Sequence, residues 1–177
     1  MPNADAAASP AEDTRSSFDT FYRATRQRLF EFLYALTGNA AEAQDVLHEA
    51  YARAWQRWSV VSRYEAPEAW VRTVARRVAV SRWRRARNLL AAHQRAGPPG
   101  ALPGPNADSI ALVAALARLP IEQRTAIVLH HLCDLPVAEV ARETDAPVGT
   151  VKARLARGRR ALAVLLGIDL EEEESRV

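Results

Sequence analysis

Thr150, Lys152, Ala153, Ala156, Arg157 and Arg160 share one side of the helical pattern that runs from Pro147 to Leu166, and no acidic residue interrupts them. Long cationic side chains on such a face can reach phosphates or the acceptor edge of guanine. Ala153 and Ala156 leave room for close approach and can touch thymine methyls. Immediately upstream, Pro136 to Thr144 forms a second short helical pattern. Its Val137, Val140 and Ala141 are placed to pack on Val148, Val151, Leu155 and Leu162, so the spacing predicts a helix-turn-helix. A solvated basic helix on an ordinary bundle is the plain competitor; the tight turn coinciding with an acid-free face favours DNA.

A second basic group lies earlier in the chain. Pro67 opens a helix whose Trp70, Val71, Val74 and Val78 face inward and whose Arg72, Arg76, Arg77, Arg84 and Arg87 face outward. With Arg63, Tyr64 and Trp83 nearby, the segment has aromatic surfaces and arginine planes beside phosphate-binding charge, the means by which unpaired bases are captured. Core packing is the competing role of the tryptophans: Trp55 and Trp70 are expected inside, while Trp58 and Trp83 could serve either purpose. Asp45, His48 and Glu49 share a helical face, yet no facing pair of ligands completes a metal site. His130, His131 and Cys133 fall on an apolar helix with Leu129 and Leu132, which reads as packing.

These groups are carried by a chain of 177 residues with one cysteine, 49% hydrophobic and 25% charged residues. That composition excludes a disulfide framework and a collagenous or disordered chain. No stretch approaches the roughly 20 apolar residues of a spanning helix, and Met1 to Arg15 lacks the pattern of a signal peptide, so a soluble, cytosolic protein with no membrane role is expected. The net charge of +3 is unevenly distributed: residues 67–95 hold eight arginines against Glu68, and residues 146–167 hold five bases and no acid. Two separated basic blocks suit a protein that touches a nucleic-acid backbone at two places.

The elements that must position the blocks are all helical. Residues 1–15 read as a disordered tail, with Ser16 or Ser17 capping a helix that ends near Gly38. Asn39 and Glu42 form a capping-box pattern for a second helix, with Ala43, Val46, Leu47, Ala50, Ala54, Trp55 and Trp58 as its buried stripe and Asp45, Glu49 and Gln56 on its other face. After the third helix, residues 96–109 form a Pro- and Gly-rich linker. Helices are then expected near 110–118, 120–133, 136–144 and 147–166, followed by an acidic tail, 168–177, that ends the wheel in solvent or competes with DNA for the arginines. The fold class is all-α: two small helical domains, 16–95 and 110–167, joined by a flexible linker, the second containing the helix-turn-helix.

Three segments then identify a resemblance. Leu116-Ala-Arg-Leu-Pro-Ile-Glu-Gln-Arg124, Glu139-Val-Ala141 and Gly149-Thr-Val-Lys-Ala-Arg-Leu155 resemble the C-terminal DNA-binding region, region four, of bacterial sigma factors of the extracytoplasmic-function type. Ala43-Gln-Asp-Val-Leu-His-Glu49 resembles that family's segment docking on the RNA polymerase clamp, and Pro67-Glu-Ala-Trp-Val-Arg-Thr-Val-Ala-Arg76 the segment that binds and opens the promoter minus-ten element. The resemblance covers about residues 16–95 and 110–166. Arg77 stands where members often have Asn, Ser81 where Asp is common, His48 for Gln, Gln44 for Glu, and Asp145 for the usual turn glycine, a position Asp can occupy because it tolerates left-handed backbone.

The resemblance implies a promoter-specificity subunit with no catalytic group and no cofactor. Asp45, His48, Glu49 and Gln56 would meet polymerase. Arg63, Tyr64, Arg72, Arg76, Arg77, Trp83 and Arg84 would hold the minus-ten DNA, and Thr150, Lys152, Ala153, Arg154, Ala156, Arg157 and Arg160 would read the minus-thirty-five element. The implied partners are core RNA polymerase at its clamp and flap, double-stranded promoter DNA, single-stranded minus-ten DNA and an anti-sigma factor of the kind that packs the two domains together. Two rivals remain at this point: a conventional dimeric helix-turn-helix repressor or activator, and a metal-dependent nuclease, for which the chain lacks a convergent acidic cluster.

Overall fold

The computed structural model of the protein describes residues 10–92 and 107–168, with side chains from 12–87 and 110–168. Eight helices, and no strand, occur among the described residues: α1 (Pro10–Thr37), α2 (Ala40–Gln56), α3 (Trp58–Val61), α4 (Pro67–Ala92), α5 (Ala107–Arg118), α6 (Ile121–Ile127), α7 (Val137–Thr144) and α8 (Val148–Leu166). A π-helical turn, Val128–Leu132, continues α6. The expected tail at 1–15 is helical from Pro10 onward, its first nine residues lying outside the described set, and most of the expected linker does too. Ser17 does not cap α1. Its hydroxyl accepts from the Trp58 indole at 2.7 Å instead.

The first module is α1 to α4. Leu29, Phe32, Leu33 and Leu36 of α1 are buried against Val46, Leu47, Ala50 and Ala54 of α2 and Val71, Ala75 and Val78 of α4. Asn39 Oδ1 accepts the Glu42 amide at 3.0 Å, so the cap forms, while the Glu42 carboxylate turns to Arg82. The stripe of α2 differs from the expected one. The helix breaks at Arg57, which rotates Trp58 inward to 5% exposure and leaves Trp55 43% exposed. Tyr51 takes the inner place, edge-on to Phe18, Phe21 and Tyr22.

The second module is α5 to α8. Both hinge prolines adopt extended backbone without a side-chain cap, Pro136 at φ −56°, ψ 148° and Pro147 at φ −57°, ψ 145°. α7 ends in a left-handed Asp145 at φ 52°, ψ 48°, with the Ala146 amide reaching back to the Ala141 carbonyl at 3.0 Å, a Schellman ending. Val140, Ala141, Val151 and Leu155 are buried as expected between α7 and α8, whereas Val148 is 44% exposed at the start of α8. Gly158 is fully committed to the close crossing of α8 over α6, where a Cβ would stand 2.9 Å from Ile127 Cγ1.

The two modules are not separate bodies. Buried residues of α1 and of α5, α6 and the π-turn form one continuous core. At the junction Arg124 is 4% exposed, donating to the carbonyls of Leu36 at 2.8 Å, Ala117 at 2.6 Å and Leu119 at 3.1 Å. Gly38, left-handed at φ 74°, brings α1 so near α5 that an added Cβ would meet Ala117 Cβ at 3.0 Å.

Tyr51 makes the first module pH-sensitive. Thr25 Oγ1 donates to the Phe21 carbonyl at 2.7 Å, so the Tyr51 hydroxyl donates to Thr25 at 2.6 Å, and burial pushes its pKa up to about 12. A folded pKa above the unfolded value gives stability that is whole below about pH 10 and drains as pH rises towards 12. Urea midpoints measured across that window are expected to fall, and Tyr51→Phe is expected to flatten the fall while costing about 1 kcal/mol at neutral pH.

Candidate nucleic-acid interface

The face singled out on α8 is present as a surface. Lys152, Ala153, Ala156, Arg157 and Arg160 are exposed on one side of the helix, while Val151, Leu155 and Gly158 are buried on the other against α7 and α6. Thr150 and Arg154 are half-buried at the margin of that face. Helix α8 is therefore anchored on one side, with an acid-free surface on the other whose two alanines would let a flat ligand come near.

The basic residues of the first module divide into two groups. Arg63, Tyr64, Arg77 and Arg84 are exposed, and Trp83 is half-buried with the Arg87 guanidinium 5.3 Å from its ring centroid. Arg72 and Arg76, expected on the outer face of α4, are instead turned into the contact with α7. The Arg72 and Glu143 side chains are only 14% and 13% exposed, with Arg72 Nη2 2.6 Å and Nε 3.2 Å from Glu143 Oε1. Arg76 Nη2 donates to the Glu143 main-chain carbonyl. The reason is local: Glu143 supplies a carboxylate and an end-of-helix carbonyl at the negative pole of α7, and both attract guanidinium groups. Arg76 Nε and Glu143 Oε2 are buried without hydrogen-bond partners, so this contact is imperfectly satisfied. A pair 71 residues apart has no signature in local periodicity.

The polar face of α2 is likewise already engaged in part. Asp45, His48 and Gln56 are exposed, while Glu49 pairs with Arg53 at 2.5 Å and with Arg82 at 2.7 Å. Arg82 also approaches Glu42 at 3.6 Å, forming an acidic and basic ladder from α2 to α4. Arg82 escaped the sequence reading, although its position on the face of α4 beside α2 could have suggested it. Among the described residues no group of three His, Cys, Asp or Glu side chains converges to hold a metal ion. His130 Nδ1 donates to the Leu135 carbonyl at 2.7 Å and closes the turn after the π-helix, a structural role.

Between the modules lies a cavity of about 570 Å³ whose wall includes Arg28, Phe32, Glu68, Arg72, Cys133 and Leu135. Burial pushes the Cys133 thiol up to about 11, despite the opposing pull of Arg72. Among the described residues no helix is long and apolar enough to cross a membrane.

Residues 21–89 match the family Sigma-70 region 2, and residues 109–162 match Sigma-70, region 4. The ECF RNA polymerase sigma factor SigL of Mycobacterium tuberculosis is 35% identical over 145 residues, 78% of this chain and 82% of that protein. SigM of the same organism is 32% identical over 171 residues, 93% of this chain and 85% of that one. Among solved structures, the sigma factor RpoE in complex with the anti-sigma factor NepR from Bartonella quintana superposes with a TM-score of 0.76 at 22% identity, over 87% of this chain and 99% of that one, which shows a shared fold. With regions 2 and 4 in this order on the two helical modules, the chain belongs to the extracytoplasmic-function sigma factors of RNA polymerase.

Proposed function

We propose that α8 reads the minus-thirty-five element through Lys152, Ala153, Ala156, Arg157 and Arg160, with Thr150 and Arg154 at the margin. Arg63, Tyr64, Arg77, Trp83 and Arg84 hold the minus-ten DNA, joined by Arg72 and Arg76 once these leave Glu143. The observation that carries this reading is the exposed, acid-free face of a helix whose other face is locked into its own module. Asp45, His48, Gln56 and the Glu49 ladder are the surface offered to polymerase. As a sigma factor the protein binds core RNA polymerase and recognises promoters; the nucleotide chemistry belongs to the polymerase, in the cytoplasm where DNA and enzyme meet. A conventional dimeric regulator has no use for the α2 surface and the basic α4 together.

The described arrangement is a closed one. Arg72 and Arg76 cannot hold DNA phosphates while they hold Glu143, so promoter engagement requires α4 and α7 to part. Fold similarity to a sigma factor solved with its anti-sigma factor supports an anti-sigma partner that would select one arrangement of the modules.

Two experiments test this reading. Run-off transcription with purified core polymerase is expected to give new start sites only when the protein is added, and Lys152→Ala with Arg157→Ala is expected to cut minus-thirty-five-dependent starts by about tenfold or more while leaving polymerase binding intact. No new starts, with a palindromic footprint from the protein alone, would overturn it. Cys133 reports separation of the modules: alkylation of the native chain at pH 8 is expected to be slow, since the raised thiol leaves only about one thiolate in a thousand. Glu143→Gln, which releases Arg72, should speed it about tenfold.

A further inference from the structure

A shallow groove crosses the second module beside the DNA-facing side of α8. Leu119, Pro120, Ala161, Val164 and Leu165 form its floor, and Arg118, Arg157 and Arg160 stand around it. Among the described residues these three arginines make no ion pair. Val164 of the floor is 77% exposed, and Ile168, just past the helix end, is a further apolar residue 56% exposed where the chain leaves α8. The groove thus presents three uncompensated cations around an uncovered apolar strip, which suits an acidic segment with an apolar residue among its carboxylates.

The chain supplies such a segment at that point. Asp169, Leu170 and Glu171 to Glu174 follow Ile168 directly. Gly167 is left-handed at φ 67°, and the Ile168 amide returns to the Ala163 carbonyl at 2.9 Å, so the helix ends by turning the chain back across its own last turn. Reach is sufficient. Arg160 and Arg157 lie about 12 and 16 Å along the axis from Ile168 at 1.5 Å per residue, and three to six extended residues span about 10–20 Å. Attachment to the same chain also gives the segment a local concentration of about millimolar, which a free acidic partner would have to exceed.

We propose that the segment Asp169–Glu174 docks in this groove, its carboxylates on Arg118, Arg157 and Arg160 and Leu170 over the apolar floor, and competes there with DNA for α8. The occupant is a stretch of carboxylates standing in for phosphates, held in place until a promoter displaces it. The inference rests on the reading of α8 as the DNA-contacting helix only in its second half: docking concerns the free protein, competition concerns DNA.

The test compares the full chain with a full-length variant in which Glu171, Glu172, Glu173 and Glu174 are all changed to Gln. In the absence of DNA, the Nε–H and backbone amide resonances of Arg118, Arg157 and Arg160 are expected to differ between the two proteins. Arg118→Gln with the native segment should move the Arg157 and Arg160 signals in the same direction as the Gln variant. Fluorescence anisotropy with a labelled promoter duplex is expected to show the Gln variant binding about threefold to tenfold tighter at 50 mM salt, the gap closing by 200 mM as screening grows. Unchanged arginine resonances overturn the docking, even if affinity rises, because a gain without them is a net-charge effect. Shifted resonances with no DNA binding by either protein, alone or with core polymerase, uphold the docking and overturn the reading of α8 instead.

Discussion

Arg124 is a full charge placed where three helix ends meet, and among the described residues no carboxylate answers it. Carbonyls of Leu36, Ala117 and Leu119 do so instead, and burial lowers its pKa without approaching neutrality. While the modules are packed, a guanidinium in such a place draws the last turns of α1 and α5 within hydrogen-bond reach, so their positions are tied to that of α6. Gly38 belongs to the same constraint, since only a residue without Cβ allows α1 to end that close to Ala117. The division of partners matters. Two of the three carbonyls lie in the module of Arg124 itself and one in the other, so parting the modules leaves the charge mostly satisfied.

The Arg72 and Glu143 contact has the opposite design. Both groups are largely removed from water, one carboxylate oxygen and one guanidinium nitrogen beside them lack partners, and each charge sits in a different module. Deleting one member strands the other, an error worth about 3–5 kcal/mol. Separating the two costs far less, because water hydrates both as they part. A closed sigma factor held by such a pair is therefore sensitive to chemistry that competes for either charge.

Much of this was readable in the sequence where local rules act alone. The Asn39 cap in the first module and, in the second, the left-handed Asp145, the buried Val140, Val151 and Leu155 and the exposed Ala153 and Ala156 follow from spacing and turn chemistry, and the latter place the exposed face of α8. Resemblance to sigma factors assigned the modules their roles. What spacing could not supply came from contacts distant in sequence or from small helix breaks. The helix breaks at Arg57, and of the two tryptophans in the expected stripe Trp58 is buried while Trp55 is 43% exposed, the inner place being taken by Tyr51. Arg72 and Arg76 look solvent-facing on a wheel of α4, because the wheel knows nothing of α7. In the sequence Arg124 stands only as the last residue of the Leu116–Arg124 motif; its burial depends on where α1 ends.

Gly158 gives the second module a further property. A Cβ at position 158 would stand 2.9 Å from Ile127 Cγ1, so α8 crosses α6 more closely than any residue but glycine allows. The close crossing of α8 on α6 thus belongs to the scaffold, independent of the residues the helix displays on its exposed face. A helix of this build can exchange the side chains of its exposed face one position at a time, each presented in the same frame. New surface chemistry then requires no new architecture, only new side chains on one stem.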